Sequence, residues 1–368
     1  MARLFIPNEI NFKTGESEET LDACLGNIKE RIYSLKIPYA GGKRSVFDFI
    51  FKSIDNQGVK FDSILDLFAG GCSISLGCKM LNKRIVSNDL SRSSYANAMA
   101  FVVNNDIVLT DEQIDFLLNN DNKNRSDFVL TNYRKRFTEG ECVKLDNFRA
   151  NAEEMSSPGE ILFELAMASM CILIMQHCYV GGRLNCGQAL ANLQHRIEHQ
   201  RNRGGTIHFN NFPKSNFRQA SNKNVHEAYN LDALDMLNMK PDVDLAYIDP
   251  PYGGSQSDYA FIYKFFDEFY LQEDIGNRCK DKDDPSSKFA SASDYQEHFE
   301  LILQAASYIP VLAISYNEKS SWKPPEEIRE ILLQFRDSVE VASIEHYYKY
   351  RKKKNKENKD RELLFIAS

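Results

Sequence analysis

The sequence predicts an α/β fold built around a largely parallel sheet, and three observations carry that prediction. Apolar runs of strand length occur at 64–68, 243–248 and 311–316, and a second short strand is read at 84–89, between the first and the next of them. The strands at 64–68 and 84–89 each lead through a short loop into helical spacing, the unit from which parallel sheets are built. The strand at 84–89 closes on Asp89, the run at 243–248 on Asp249, and the run at 64–68 contains Asp66. Open α/β sheets hold their ligands at the carboxyl ends of their strands, so these acids are candidate site residues.

In chain order, 1–36 reads as an opening segment with a helix near 20–33, and 45–54 as a second helix. The strand at 64–68 enters the small-residue loop Ala69-Gly70-Gly71-Cys72-Ser73, after which Ile74, Leu76 and Leu81 mark the inner face of a helix. A second strand-loop-helix unit starts near Ile85. The alternation then breaks for about 120 residues, too long for an ordinary connection. This interval holds a long apolar helix at 160–178, the Gly181-Gly182 break and a loop-rich tail. The sheet is expected to resume at Asn230 and to continue through 243–248 and 311–316. Residues 338–350 and 361–368 read as a closing hairpin with a lysine cluster at its tip, and 280–293 as a loop. No internal repeat is visible.

Composition narrows the function classes. No apolar run reaches membrane-spanning length, and the first residues lack a signal-peptide pattern. Eight irregularly spaced cysteines without a Cys-x-x-Cys pair fit a reduced cytoplasmic protein. Cys171, His177, Cys178 and Cys186 lie on or beside an apolar helix, where buried cysteine is the ordinary reading, so no metal is assigned. The net charge of −7 is unevenly spread. Between His195 and Asn224, Arg196, Arg201, Arg203, Lys214, Arg218 and Lys223 face a single acid, Glu198, and alternate with Phe209, Phe212 and Phe217. A basic run is often just a solvated face. The mixture of arginines, amides and aromatics here favours contact with nucleic acid.

The most informative segment is Asp249-Pro250-Pro251-Tyr252. Proline cannot extend a ladder, so the strand stops and leaves a carboxylate and an aromatic ring at its carboxyl end. Asp249 and the Pro250 carbonyl can accept hydrogen bonds from the exocyclic amine of a flat base, and Tyr252 can stack on it. Tyr259, Phe261 or Tyr263 would supply a second stacking face, although helix core is an equal use for them. Upstream, the Gly70-Gly71 turn lets backbone approach a ligand, while Asp89, 23 residues after Asp66, stands where a ribose diol is gripped. The spacing Gly-x-Gly-x-x-Gly is absent, which argues against a dinucleotide oxidoreductase.

Asp66-Leu-Phe-Ala-Gly-Gly71, Asn88-Asp89 and Asp249-Pro-Pro-Tyr252, in this order, resemble the S-adenosylmethionine-dependent DNA adenine N6-methyltransferases. The segment Pro38-Tyr39-Ala40-Gly41-Gly42-Lys43 resembles the opening motif of their DNA adenine methylase (Dam-like, alpha-group) branch. The resemblance implies a Rossmann-like class I methyltransferase with a mixed seven-stranded sheet and an antiparallel last strand. It implies core halves at 1–105 and 226–368, with an inserted, largely helical and loop target recognition domain at 106–225. It implies S-adenosylmethionine held by Tyr39, Lys43, Asp66, Phe68, Gly70, Asp89, Asp232 and Asp249. Catalysis would fall to Asp249, Pro250 and Tyr252, acting on an adenine flipped out of double-stranded DNA. Arg196, Arg201, Arg203, Lys214 and Arg218 would contact that DNA. Many members carry Trp where Tyr39 stands, which preserves the stacking surface. A separate restriction endonuclease or a defence-system partner is compatible with the resemblance. RNA adenine or cytosine N4 as target, and a non-catalytic DNA-binding subunit, stay open. Asp at 249 tilts toward adenine, because cytosine enzymes more often carry Ser there.

Overall fold

The structure, a computed structural model, describes residues 21–34, 37, 39, 41–180, 183–184, 222–251, 259–276, 289, 292–318, 323–346 and 360–368. From the amino end, α1 (Leu21–Ser34) and α2 (Phe47–Asn56) flank a 3-10 turn at Lys43–Ser45. β1 (Ser63–Asp66), α3 (Ser73–Met80) and β2 (Arg84–Asn88) form the first strand-helix-strand unit, and α4 (Arg92–Asn97) runs on into a π-turn at Ala98–Val103. Next come α5 (Asp111–Asn119), α6 (Phe128–Tyr133), α7 (Glu139–Met155) and α8 (Ile161–Cys178). A small hairpin of β3 (Tyr179–Val180) and β4 (Arg183–Leu184) follows. β5 (Glu227–Tyr229), α9 (Ala233–Asn238) and β6 (Leu245–Ile248) return the chain to the main sheet. α10 (Tyr259–Leu271), α11 (Ala292–Ala305), β7 (Val311–Asn317), α12 (Pro325–Leu332), β8 (Val339–His346) and β9 (Asp360–Ala367) complete the order.

The sheet has seven strands in the order β5-β2-β1-β6-β7-β9-β8. Neighbours from β5 to β7 are parallel, while β9 runs antiparallel between β7 and β8. This mixed α/β arrangement is that of a class I methyltransferase fold. The closing hairpin pairs as the sequence suggested. The return to the sheet differs slightly, because β5 ends at Tyr229, just before the expected start at Asn230.

Both faces of the sheet are covered, and the period of two along each strand divides the core in two. Ile64, Leu245, Tyr247, Ala313, Leu364 and Ile366 join one apolar cluster. Their neighbours Leu65, Ala246, Ile248, Ile314, Leu363 and Phe365 join the other. The second cluster is roofed by α9, α11 and α12 through residues such as Met236, Phe299 and Ile328. The first takes in the amino-terminal helices and also α5 to α8, through Leu117, Val129, Phe148 and Ile172 among others. The helical stretch after β2 thus packs into the same core as the sheet.

Two of those helices begin with capping boxes, Thr110 with Gln113 and Thr138 with Glu141, which satisfy the first orphan N–H groups. Asp146 of α7 accepts from the Val129 and Leu130 amides and fixes the start of α6. Cys171 is buried on α8, its thiol pushed up by desolvation. Among the described residues no helix is long and apolar enough to cross a membrane.

Candidate active site

Parallel β1, β2 and β6 end at one edge, so whatever follows each strand meets at one place. Tyr39, Lys43, Asp66, Phe68, Gly70, Asp89, Asp232, Asp249 and Pro250, all expected at a site, line a single cavity there. Tyr252 lies outside the described residues, as do Arg196, Arg201, Arg203, Lys214 and Arg218.

Asn88 knits the strand ends together. Its side-chain amide donates to the Leu67 and Leu231 carbonyls, and its oxygen accepts from the Leu231 N–H at 3.1 Å. The next residue, Asp89, accepts from the Gly70 N–H at 2.7 Å and the Ser91 N–H at 2.8 Å. Asp66 accepts from the Ser75 hydroxyl at 2.6 Å and its N–H at 3.2 Å, which aims the carboxylate at the first turns of α3. Asp232 caps α9 by accepting from the Leu234 N–H at 2.9 Å.

Burial sets the electrostatics. Desolvation pushes Asp66 up to about 7, with the Ser75 bonds opposing and Asp249 and Asp89 adding repulsion. It pushes Asp89 up to about 6, with Asp267 adding to the rise. Asp267, on α10, accepts from the Ser91 hydroxyl at 2.8 Å and the Ser93 N–H at 3.2 Å. Against these acids stands Lys43, 4% exposed, whose ammonium lies 2.8 Å from Asp249 and 3.3 Å from Glu362.

The Gly70-Gly71 turn makes room for a side chain of this protein. A Cβ on Gly70 would sit 2.6 Å from Tyr39 Cε1, and one on Gly71 would sit 2.7 Å from Tyr39 Cβ. The ring wedged there stacks on Tyr263 with centroids 4.7 Å apart and planes 6° from parallel. Tyr263 gives one face to Tyr39 and is 1% exposed, which removes it as a stacking platform for a base. Phe68 meets Phe289 edge to face at 5.8 Å on the far side of the cavity.

A family model matches residues 39–331, that of the D12 class N6 adenine-specific DNA methyltransferases. The chain belongs to this family. A type II methyltransferase of Haemophilus parahaemolyticus, M2.HphI, is 27% identical over 346 residues, covering 90% of this chain and 97% of the relative. A second type II methyltransferase, M.CviAII of Paramecium bursaria Chlorella virus 1, is 26% identical over 303 residues, covering 77% and 84%.

Three neighbours of the site in this D12 family member escaped the sequence reading: Asp267, Phe289 and Glu362. Each reaches the site from a segment remote from the motifs, through tertiary packing. Glu362 follows Asp360 and Arg361 at the charged start of β9, where a solvated strand end is the ordinary reading.

The Tyr39 wedge has a measurable consequence. Gly70 has φ +51°, so Gly70→Ala meets both a left-handed backbone, about 1–2 kcal/mol, and the ring clash, about 1–3 kcal/mol. In a Tyr39→Ala background only the first cost remains. Urea unfolding of the four proteins should show Gly70→Ala costing less once the ring is gone. An equal cost in both backgrounds would remove Tyr39 as the reason for this glycine.

Proposed function

We propose that this chain transfers a methyl group from S-adenosylmethionine to N6 of an adenine turned out of double-stranded DNA. The observation that carries the reading is the Asp249 carboxylate, held at the end of β6 and facing the cavity it shares with Asp66 and Asp89. The Lys43 ammonium 2.8 Å away supports a role for this carboxylate as acceptor of a nitrogen donor.

The cavity suits a nucleoside with cationic groups. Asp66, Asp89 and Asp267 concentrate negative charge in a desolvated place, which favours a sulfonium and an ammonium. Phe68 and Phe289 offer apolar surface for an adenine ring. S-adenosylmethionine supplies an electrophilic methyl group when bound. The remaining work belongs to the protein. Adenine N6 is a weak nucleophile because its lone pair is delocalised into the ring. Asp249 and the Pro250 carbonyl accept its two N–H bonds, draw the nitrogen toward tetrahedral geometry and stabilise the positive charge that grows on it. This is positioning with electrostatic stabilisation, and no strong base is needed until the product nitrogen sheds its proton. A base inside a duplex cannot reach the strand end, so it must leave the stack, with Tyr252 as one stacking face.

Arg196, Arg201, Arg203, Lys214 and Arg218 provide the phosphate-contacting stretch, within a target recognition portion spanning 106–225. The names of both relatives as type II methyltransferases support a place beside a restriction endonuclease. Among the described residues, Cys72, Cys78, Cys142 and Cys171 are buried thiols outside any disulfide, which supports the cytoplasm as its compartment.

Two outcomes are expected. Asp249→Ala should abolish methyl transfer to DNA while cofactor binding, followed by calorimetry, persists in part. Full activity in that variant would end the catalytic assignment. The second concerns pH. Without a cationic ligand, Asp66 and Asp89 hold protons from the ordinary carboxylate range up to about 7 and 6 respectively. A bound cation favours the ionised acids and expels those protons. Affinity for S-adenosylmethionine should therefore rise from about pH 5 to about pH 7.5, with proton release on binding. S-adenosylhomocysteine, which lacks the sulfonium charge, should show a shallower rise. A flat profile for both ligands would contradict the electrostatic account.

A further inference from the structure

Glu362 is a charge that the mechanism above does not use. It lies on β9, 0% exposed, in register with Asn317 of β7. Along β9, Leu364 and Ile366 point into the cluster that holds the amino-terminal helices, and Leu363 and Phe365 into the opposite one. Glu362 shares the face of Leu364, and there it meets Lys43 at 3.3 Å. Its second oxygen accepts from the Asn317 side-chain amide at 3.4 Å.

One buried ammonium is thus shared by two carboxylates that differ in situation. Asp249 faces the cavity, where the amine of the substrate must come. Glu362 faces only protein. A buried carboxylate carries a desolvation penalty that an apolar residue in the same strand avoids. Resting on the functional reading above, we propose that Glu362 is a positioning residue for methyl transfer, which retains the Lys43 ammonium when the substrate amine takes over Asp249. An ammonium left on Asp249 alone competes with the incoming amine for its acceptor. It also repels the positive charge that grows on N6. Glu362 supplies a second counter-ion at hand, so Lys43 can release Asp249 without being stranded in the interior. It never touches the base and acts through Lys43.

The test is a double-mutant cycle between Lys43→Met and Glu362→Gln, read by single-turnover methyl transfer at saturating cofactor. Glu362→Gln keeps the shape and the Asn317 contact but removes the charge. In the native background it should slow transfer by about tenfold or more, while cofactor affinity stays within about twofold. In the Lys43→Met background it should cause no further slowing. Equal slowing in both backgrounds means a structural role and overturns the proposal, as does an unslowed Glu362→Gln enzyme. Should Glu362→Gln not fold, Glu362→Asp decides by the same criterion, since it keeps the charge and shortens its reach. A native protein that transfers no methyl to DNA adenine would fail the functional reading itself. Native activity with an unslowed variant would fail only this proposal.

Discussion

The Lys43 ammonium, buried against Asp249 and Glu362, is the interaction around which the rest of the site is arranged. Among the described residues that line the cavity it is the one cation, set against Asp66, Asp89, Asp232, Asp249 and Asp267. Buried together, these carboxylates lose hydration and, to a smaller extent, repel one another, which is why Asp66 and Asp89 hold their protons so far above the ordinary range. The arrangement persists because each acid has donors of its own. Ser75 serves Asp66, the Gly70 and Ser91 amides serve Asp89, and Ser91 and Ser93 serve Asp267. These donors hold the acids in place at the cavity.

Topology explains how residues so far apart in sequence come together. A parallel sheet delivers the ends of β1, β2 and β6 to one edge, and Asn88 bonds the loops beyond β1 and β5 to each other. The amino-terminal segment reaches the same edge by two anchors of different kinds. Tyr39 fits against the side-chain-free Gly70 and Gly71, and Lys43 is tied by charge to β6 and β9. The first anchor depends on shape and the second on charge, and together they orient the opening motif over the cavity.

Much of this was legible in the sequence, for physical reasons that also mark where legibility ended. Strands buried on both faces read as apolar runs, so β1, β2, β6 and β7 were visible, as was α8 with its unbroken apolar stretch. β5 was placed three residues late because it is three residues long and only half-buried. α5 and α7 went unassigned although Thr110-x-x-Gln113 and Thr138-x-x-Glu141 are capping-box spacings that a closer reading would have caught. In the site, the acids that end strands were visible because periodicity points at them. Asp267 and Phe289 were not, because nothing local distinguishes a side chain that faces a cavity from one that faces a core. The glycine pair, read as a turn that lets backbone approach a ligand, lines the cavity and also leaves the room that Tyr39 occupies.

A D12-class site built around Asp249 that methylates adenine N6 in DNA must leave its methyl group on that nitrogen. The most direct measurement is transfer of a labelled methyl group from S-adenosylmethionine to mixed-sequence duplex DNA and, separately, to RNA, followed by digestion to nucleosides. The account predicts label in N6-methyladenine from the DNA. Label in N4-methylcytosine, label only in RNA, or no transfer by protein that binds the cofactor would contradict it.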